Sequence, residues 1–342
     1  MKALKREGLT KIRDEIKSWM PRKDIKQADG RMASSREFEE ARSSLSNLAS
    51  KIDYEVTKLS LGILIASTKE QIDGLCDALK LPITMFGQSA RGILPFLKTD
   101  SMKKIVAEEC GHLLRAVLEL VKSTMDILSK DGDKVDPVKV GLVTEYCKRF
   151  KMRIPKSDKI ACKRFVMSSI LQIKDTAEEF QQSISGEEDD DMFFIGDDLG
   201  DGDAEKEVMT EKEKLTIGCA VKVFRRSQRL CKTYAQACVS LPDSFNKSQT
   251  DLANSLVELS SKLVSAVTDM GCCLYIPIEK ESEDEILKHV KTLEGLAKQS
   301  STLLLKVPTI SSDMKIETRI RNMCTGLISA LSDLKGHCSV HT

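Results

Sequence analysis

The chain has 342 residues, 41% of them hydrophobic but only 4% aromatic, with 8 prolines; this is enough for one large or two ordinary domains and suits Leu-, Ile- and Ala-rich helices better than sheets. A formal net charge of +1 hides a local polarity, because the first 36 residues hold 11 Lys/Arg against 5 Asp/Glu while residues 186–207 hold 11 acidic residues and a single Lys. The 11 cysteines are odd in number and include no CxxC, which excludes a zinc site of standard spacing and fits free thiols in a reducing compartment.

Leu9, Ile12, Ile16 and Trp19 recur at spacings of three and four, so a short amphipathic helix is predicted to end before Pro21. Its other face is basic, which suits a membrane surface or, preferably, a helix docked on the bundle that follows. The polar stretch to residue 33 reads as linker. Ser34 with Glu37 forms a capping box, and Phe38, Ala41, Leu45, Leu48, Ile52, Val56, Leu59 and Ile63 then keep helical period. Thr68 with Gln71 caps a second long helix, in which Pro82 predicts a kink or break near Leu81. The run from Gly87 through Ser89 to Gly92 lacks the glycine two residues after the serine that a nucleophile elbow needs, and reads as a helix end.

Asp100 is placed to cap a helix of about thirty residues, roughly 45 Å long. Asp131, Gly132 and Asp133 open like a calcium loop, but Val135, Asp136 and Leu142 stand where an EF-hand needs an oxygen ligand, glycine and glutamate, so they form a turn. Asp136 and Pro137 start the next helix, lined by Leu142, Val143, Cys147 and Phe150. Ser157 or Asp158 caps another, whose stripe is Ile160, Met167, Ile170, Leu171, Ala177, Phe180 and Ile184.

Beyond the acidic run, Thr210 with Glu213 opens a helix bearing Lys222, Arg225, Arg226, Arg229 and Lys232. No aromatic or glycine-rich nucleic-acid motif accompanies these charges, so they read as a solvated face or one that attracts the chain's own acidic segment. Leu252, Leu256, Leu259 and Leu263 alternate four and three; the seam serves a zipper or, over so few heptads, bundle core. Ser282 with Glu285 predicts a fourth capping box, and Gly336 is placed to terminate the last helix.

The whole reads as all-α, two antiparallel helical bundles separated by an acidic linker: a basic helix and linker (1–33), an N-terminal bundle (34–185), a disordered acidic linker (186–208), a C-terminal bundle (209–336) and a tail (337–342). No apolar stretch reaches the roughly 18 residues of a membrane span, and no signal-peptide core opens the chain, so a soluble intracellular protein is expected. Only His112, His289, His337 and His341 are present, none with metal spacing; phosphate-loop and dinucleotide fingerprints are absent. No catalytic, cofactor-binding or metal residues are assigned, and no cofactor is expected. Within the acidic run, Met192, Phe193, Phe194 and Ile195 form the candidate partner-binding motif, an apolar cluster among carboxylates. Ser183 and Ser185 precede Glu187 and Glu188 and are candidate sites for an acid-directed kinase.

The order of features carries a resemblance: a basic helix ending in Met20-Pro21-Arg22, then Ile154-Pro155-Lys156-Ser157-Asp158-Lys159 between two helices, the acidic insert, a cysteine-bearing basic helix, and Tyr275-Ile276-Pro277 before two last helices. It resembles the Grap2 and cyclin-D-interacting protein family from about Leu4 to Leu334. The resemblance implies a vinculin- and talin-rod-like helical fold and no enzymatic activity. It further implies regulatory binding to D-type cyclins and helix-loop-helix transcription factors, possible engagement of a Grap2-type adaptor, no direct nucleic-acid contact, and a cytoplasmic and nuclear distribution. The alternative is a vinculin- or talin-like cytoskeletal or adhesion adaptor.

Overall fold

The structure, a computed structural model, describes residues 1–20, 33–130, 134–185, 209–243, 245–311 and 313–338. The fold is all-α. In chain order the helices are α1 (Lys2–Trp19), α2 (Ser35–Gly62), α3 (Lys69–Ile93), α4 (Asp100–Ser129), α5 (Pro137–Arg153), α6 (Asp158–Ser185), α7 (Glu211–Ser240), α8 (Lys247–Cys272), α9 (Lys280–Leu304), α10 (Pro308–Ser311) and α11 (Met314–Cys338), with a 3₁₀ turn at Leu94–Phe96. They divide into two compact units, Met1–Ala161 and Cys162–Thr342.

Local chemistry sets most helix starts. Ser34, Thr68 and Thr210 each accept the backbone N–H three residues on, while Glu37, Gln71 and Glu213 reach back to the cap residue. Asp136 accepts from Val138 N at 2.9 Å with Pro137 in the first turn. The expected box at Ser282 and Glu285 does not form. α9 starts three residues earlier, behind Glu279, and Glu285 is held by Lys288. A box that the sequence reading passed over, Asn246 with Gln249, opens α8. Thr99, not Asp100, caps α4. Two expected stops are also absent. α3 runs unbroken through Pro82, which is buried amid Leu79, Ile83 and Phe86, so packing outweighs the one ladder bond that proline removes. α11 continues past Gly336, where Leu334 and Cys338 bury on the core side.

In the first unit α1 touches α3 and α4, α2 touches α3 and α5, and α4 touches α5, a closed circuit of five helices around one apolar core. Leu9, Ile12 and Ile16 are fully buried, so the amphipathic α1 spends its stripe inside this unit. The Lys5 ammonium, also buried, donates to the Leu64 carbonyl at 2.7 Å. Expected as lining, Leu142 instead faces outward, while Val143, Cys147 and Phe150 make the buried line of α5.

Glu15 pins α1 to α3. Thr84 Oγ1 and Trp19 Nε1 each donate to Glu15 Oε1 at 2.6 Å. The Thr84 bond first, then that of Trp19, holds the carboxyl below its ordinary value of 4.5. Since the folded value is the lower one, its contribution to stability is complete above 4.5 and drains away as pH falls through the depressed value. Emission of Trp19, the one tryptophan, should therefore shift to the red only as pH falls below 4.5, and Glu15→Gln should flatten that dependence. An unchanged acid response in Glu15→Gln would assign the shift to another group.

In the second unit α7 touches α8 and α11, and α9 touches α8 and α11. α6 joins through side chains. Phe180 meets Phe224 of α7 at 6.2 Å between ring centres, Arg225 of α7 donates to Gln181 at 3.2 Å, and Ser169 bonds Ser260 of α8 at 3.3 Å. Val166, Ile170, Ile173, Ala177 and Phe180 belong to the core built by α7, α8, α9 and α11. The sequence reading put all of α6 in the N-terminal bundle (34–185); instead residues 162–185 pack with the second unit. Only the first turn stays with the first unit, where Thr99 N and Oγ1 donate to Asp158 Oδ1 at 3.0 and 2.8 Å.

Candidate interaction surface

Among the described residues no group of three or more His, Cys, Asp and Glu side chains could hold a metal ion, and no helix is long and apolar enough to cross a membrane. His112 is half-buried against Tyr146, ring centres 5.8 Å apart, and its Nδ1 has no hydrogen-bond partner. The thiols lie mostly inside the cores. Burial pushes Cys76 up to about 11 and Cys147 and Cys231 to about 12, and raises Cys110 and Cys238 further. These are packing groups. A dent between α1 and α3 is polar and neutralises itself, Lys11 pairing with Glu7 at 3.0 Å at its edge.

What remains is surface. Tyr54 and Leu61 follow one another along an outward line of α2, with Ile65 in the turn just beyond its end, and the three are 63%, 74% and 81% exposed. Leu81 and Met85, one turn apart on α3, are exposed as well. Gly62 on α2 faces Leu75 on α3, so closely that a Cβ there would lie 2.9 Å from a Leu75 methyl. With the two helices antiparallel, six residues along α3 from Leu75, about 9 Å, brings Leu81 level with Tyr54 and Lys58. The five exposed side chains lie on the solvent side of the α2–α3 pair and its connecting turn, its outer seam, with the Lys58 ammonium 5.4 Å from the Tyr54 ring centre. Single exposed apolar residues are ordinary, but several along one seam mark a surface suited to a partner.

The sequence-predicted residues fall in separate places. Leu256, Leu259 and Leu263 are buried in the second core and Leu252 packs partly buried against it, so this seam is used within the chain. Ser183 and Ser185 end α6; Ser183 is half-buried and donates to the Phe180 carbonyl at 3.0 Å, whereas Ser185 is exposed and donates to that of Gln182 at 2.9 Å. Met192, Phe193, Phe194 and Ile195 lie outside the described residues. The α2–α3 seam was missed by sequence reasoning. Leu61 and Ile65 fall off the stripe that ends in Ile63, and that offset was the available signal.

The fold defines an all-helical protein with exposed apolar side chains on α2 and α3. Residues 44–186 match the family described as Grap2 and cyclin-D-interacting, N-terminal. The match runs from α2 to the end of α6 and contains every residue of the α2–α3 seam. No curated protein matches the chain.

Proposed function

We propose that the protein is a non-enzymatic regulatory binding protein that engages D-type cyclins and helix-loop-helix transcription factors, in the cytoplasm and nucleus, to modulate cell cycle and transcription. The observation that carries this reading is the family match over residues 44–186. The α2–α3 seam offers an apolar contact of the kind that partner helices use. The motif Met192, Phe193, Phe194 and Ile195 is proposed as a second contact on its sequence pattern. Purified full-length protein should capture a D-type cyclin, and Leu61→Asp with Leu81→Asp should weaken capture without changing the helical circular dichroism. Phe193→Ala with Phe194→Ala should weaken it too. Recovery of neither a D-type cyclin nor a helix-loop-helix protein would sink the reading.

The closed circuit of long helices in the first unit also favours a second reading, a vinculin- or talin-like adaptor. Actin co-sedimentation without cyclin capture would select it.

Phosphorylation is proposed at Ser185 in preference to Ser183, because its hydroxyl is exposed while that of Ser183 is half-buried. A phosphate there adds about −1.5 to −2 charges at a helix C-terminus, where the helix dipole is already negative. Mass spectrometry after treatment with an acid-directed kinase should find phosphate on Ser185, with faster amide exchange over the last turn of α6. Phosphate on Ser183 alone reverses the assignment.

A further inference from the structure

An open groove of about 460 Å³ runs between the first half of α6 and the last half of α7. Lys163, Met167 and Ile170 line it from α6, and Lys232, Ala235 and Val239 from α7. The register explains the pairing. Phe180 faces Phe224, while Met167 shares the groove with Ala235 and Val239, so the helices run antiparallel: stepping back 13 residues from Phe180 to Met167 advances α7 to the turn between Ala235 and Val239. Near the Phe180 end aromatic rings fill the space between the helices. At the Met167 end nothing of that size does, and large apolar side chains stand open: Met167 is 39% exposed, Val239 43% and the neighbouring Leu171 53%.

The electrostatics of this face are one-sided. Between Glu213 and Asp243 the chain has no acidic residue, while Lys222, Arg225, Arg229 and Lys232 recur at spacings of three and four along the exposed face of α7 and lead into the groove. Lys163 stands on the opposite lip. Neither Lys163 nor Lys232 is ion-paired among the described residues. The groove thus has an apolar floor between two lips that each present an uncompensated cation.

We propose that the α6–α7 groove is a docking site for an acidic amphipathic helix of a partner protein. Met167, Ile170, Ala235 and Val239 receive its apolar ridge, and Lys163 and Lys232 pair with flanking carboxylates. The dimensions suit this occupant, since the seven steps from Lys163 to Ile170 span about 10 Å, the length of an i, i+3, i+4, i+7 ridge. A nucleic acid would satisfy the cations but leave the apolar floor unburied. A lipid surface would present a plane to this site, whereas the apolar groups line a groove between two helices. Charge complementarity then selects an acidic helix over a basic one and makes binding salt-dependent. This inference rests on the reading of the protein as a binding protein, but not on cyclin being the partner.

The experiment uses the full-length chain and a fluorescein-labelled synthetic helical peptide, with Leu at i, i+3, i+4 and i+7 and Glu on both flanks, read by anisotropy. A peptide with the same ridge and Lys flanks is the control. The acidic peptide should bind and the basic one should not. Lys163→Glu with Lys232→Glu should weaken binding on the order of tenfold or more, as should Met167→Glu, all at exposed positions and with unchanged circular dichroism. Arg225→Glu, outside the groove, should cost less than either. Peptide binding without cyclin capture supports the groove and fails the cyclin reading alone; cyclin capture without peptide binding does the reverse. Binding that survives Met167→Glu and the double reversal overturns the proposal. So does binding that appears only after deletion of residues 186–207, which would make the chain's own acidic segment the occupant.

Discussion

Replacing Phe180 by Ala is expected to destabilise the second unit by about 3–5 kcal/mol and to leave the first unit's amide protection unchanged. Phe180 is 2% exposed and lies where three elements meet. Its ring centre is 6.2 Å from that of Phe224 on α7 and 5.4 Å from that of Tyr275, beyond the end of α8. Its Cε2 is 3.3 Å from where a Cβ on Gly271 of α8 would stand. Truncation therefore opens a cavity bounded by helix backbone on the α8 side, which cannot collapse far, and the loss of aromatic pairing adds about 0.5–1.5 kcal/mol. Hydrogen exchange read by mass spectrometry is the suitable measurement, since a single melting temperature blends two units. Protection should fall across α6, α7, α8, α9 and α11. Phe86→Ala, which removes the partner of Phe150 at 5.3 Å between ring centres, should do the same to α1–α5. Loss of protection in α1–α5 on Phe180→Ala would return α6 to the first unit.

The position of α6 shows how far a hydrophobic period can be read. Its stripe states that one face is buried, but not against which helices, and the drop in hydrophobicity at residue 186 marks a change along the chain rather than a border between cores. The phase of the stripe was ambiguous too. Met167 and Leu171 keep helical spacing with Ile160 and Ala177, yet Val166 and Ile173 are the buried pair, because α6 is apolar over more than one line of its surface. Periodicity alone therefore placed Met167 inside, and the groove that it lines could not be anticipated. Local signals fared better: three of four expected capping boxes form, since a Ser or Thr followed three residues on by Glu or Gln needs only its own backbone. The fourth fails for a local reason as well, Glu285 being one turn from Lys288. For the α2–α3 seam, the sequence provides Leu61 and Ile65 but not the packing of α2 on α3 through Gly62 and Leu75. The order of short motifs did carry the family, which the match over residues 44–186 bears out.

Gly87 carries the second large expectation. In the sequence it belongs to a glycine-bounded run resembling a helix end; in the structure it lies inside α3 beneath Trp19, and a Cβ there would stand 2.6 Å from the Trp19 Cβ. Arg91 lies over the indole, 4.6 Å from the ring centre, and donates to the Ser18 carbonyl. Two effects oppose each other in Gly87→Ala. Helix propensity favours Ala by about 1 kcal/mol, while overpacking costs about 1–3 kcal/mol. The clash wins, because the atoms met include Trp19 Cβ beside the α1 backbone, so relief requires α1 itself to move rather than a flexible tip to rotate. Full release of α1 would expose Leu9, Ile12 and Ile16 at about 1.5–3 kcal/mol each, more than the clash costs, and α1 should therefore shift on α3 without leaving it. The expected result is a net loss of about 1 kcal/mol with a red shift of Trp19 emission. Gly74→Ala is the matched control: it sits in the same helix with nothing within 4 Å of the new Cβ, so propensity acts alone and the first unit should gain up to about 1 kcal/mol. If Gly87→Ala stabilises as Gly74→Ala does and leaves the emission unchanged, Trp19 is not seated on α3, and the docking of α1 must rest on Leu9, Ile12 and Ile16 alone.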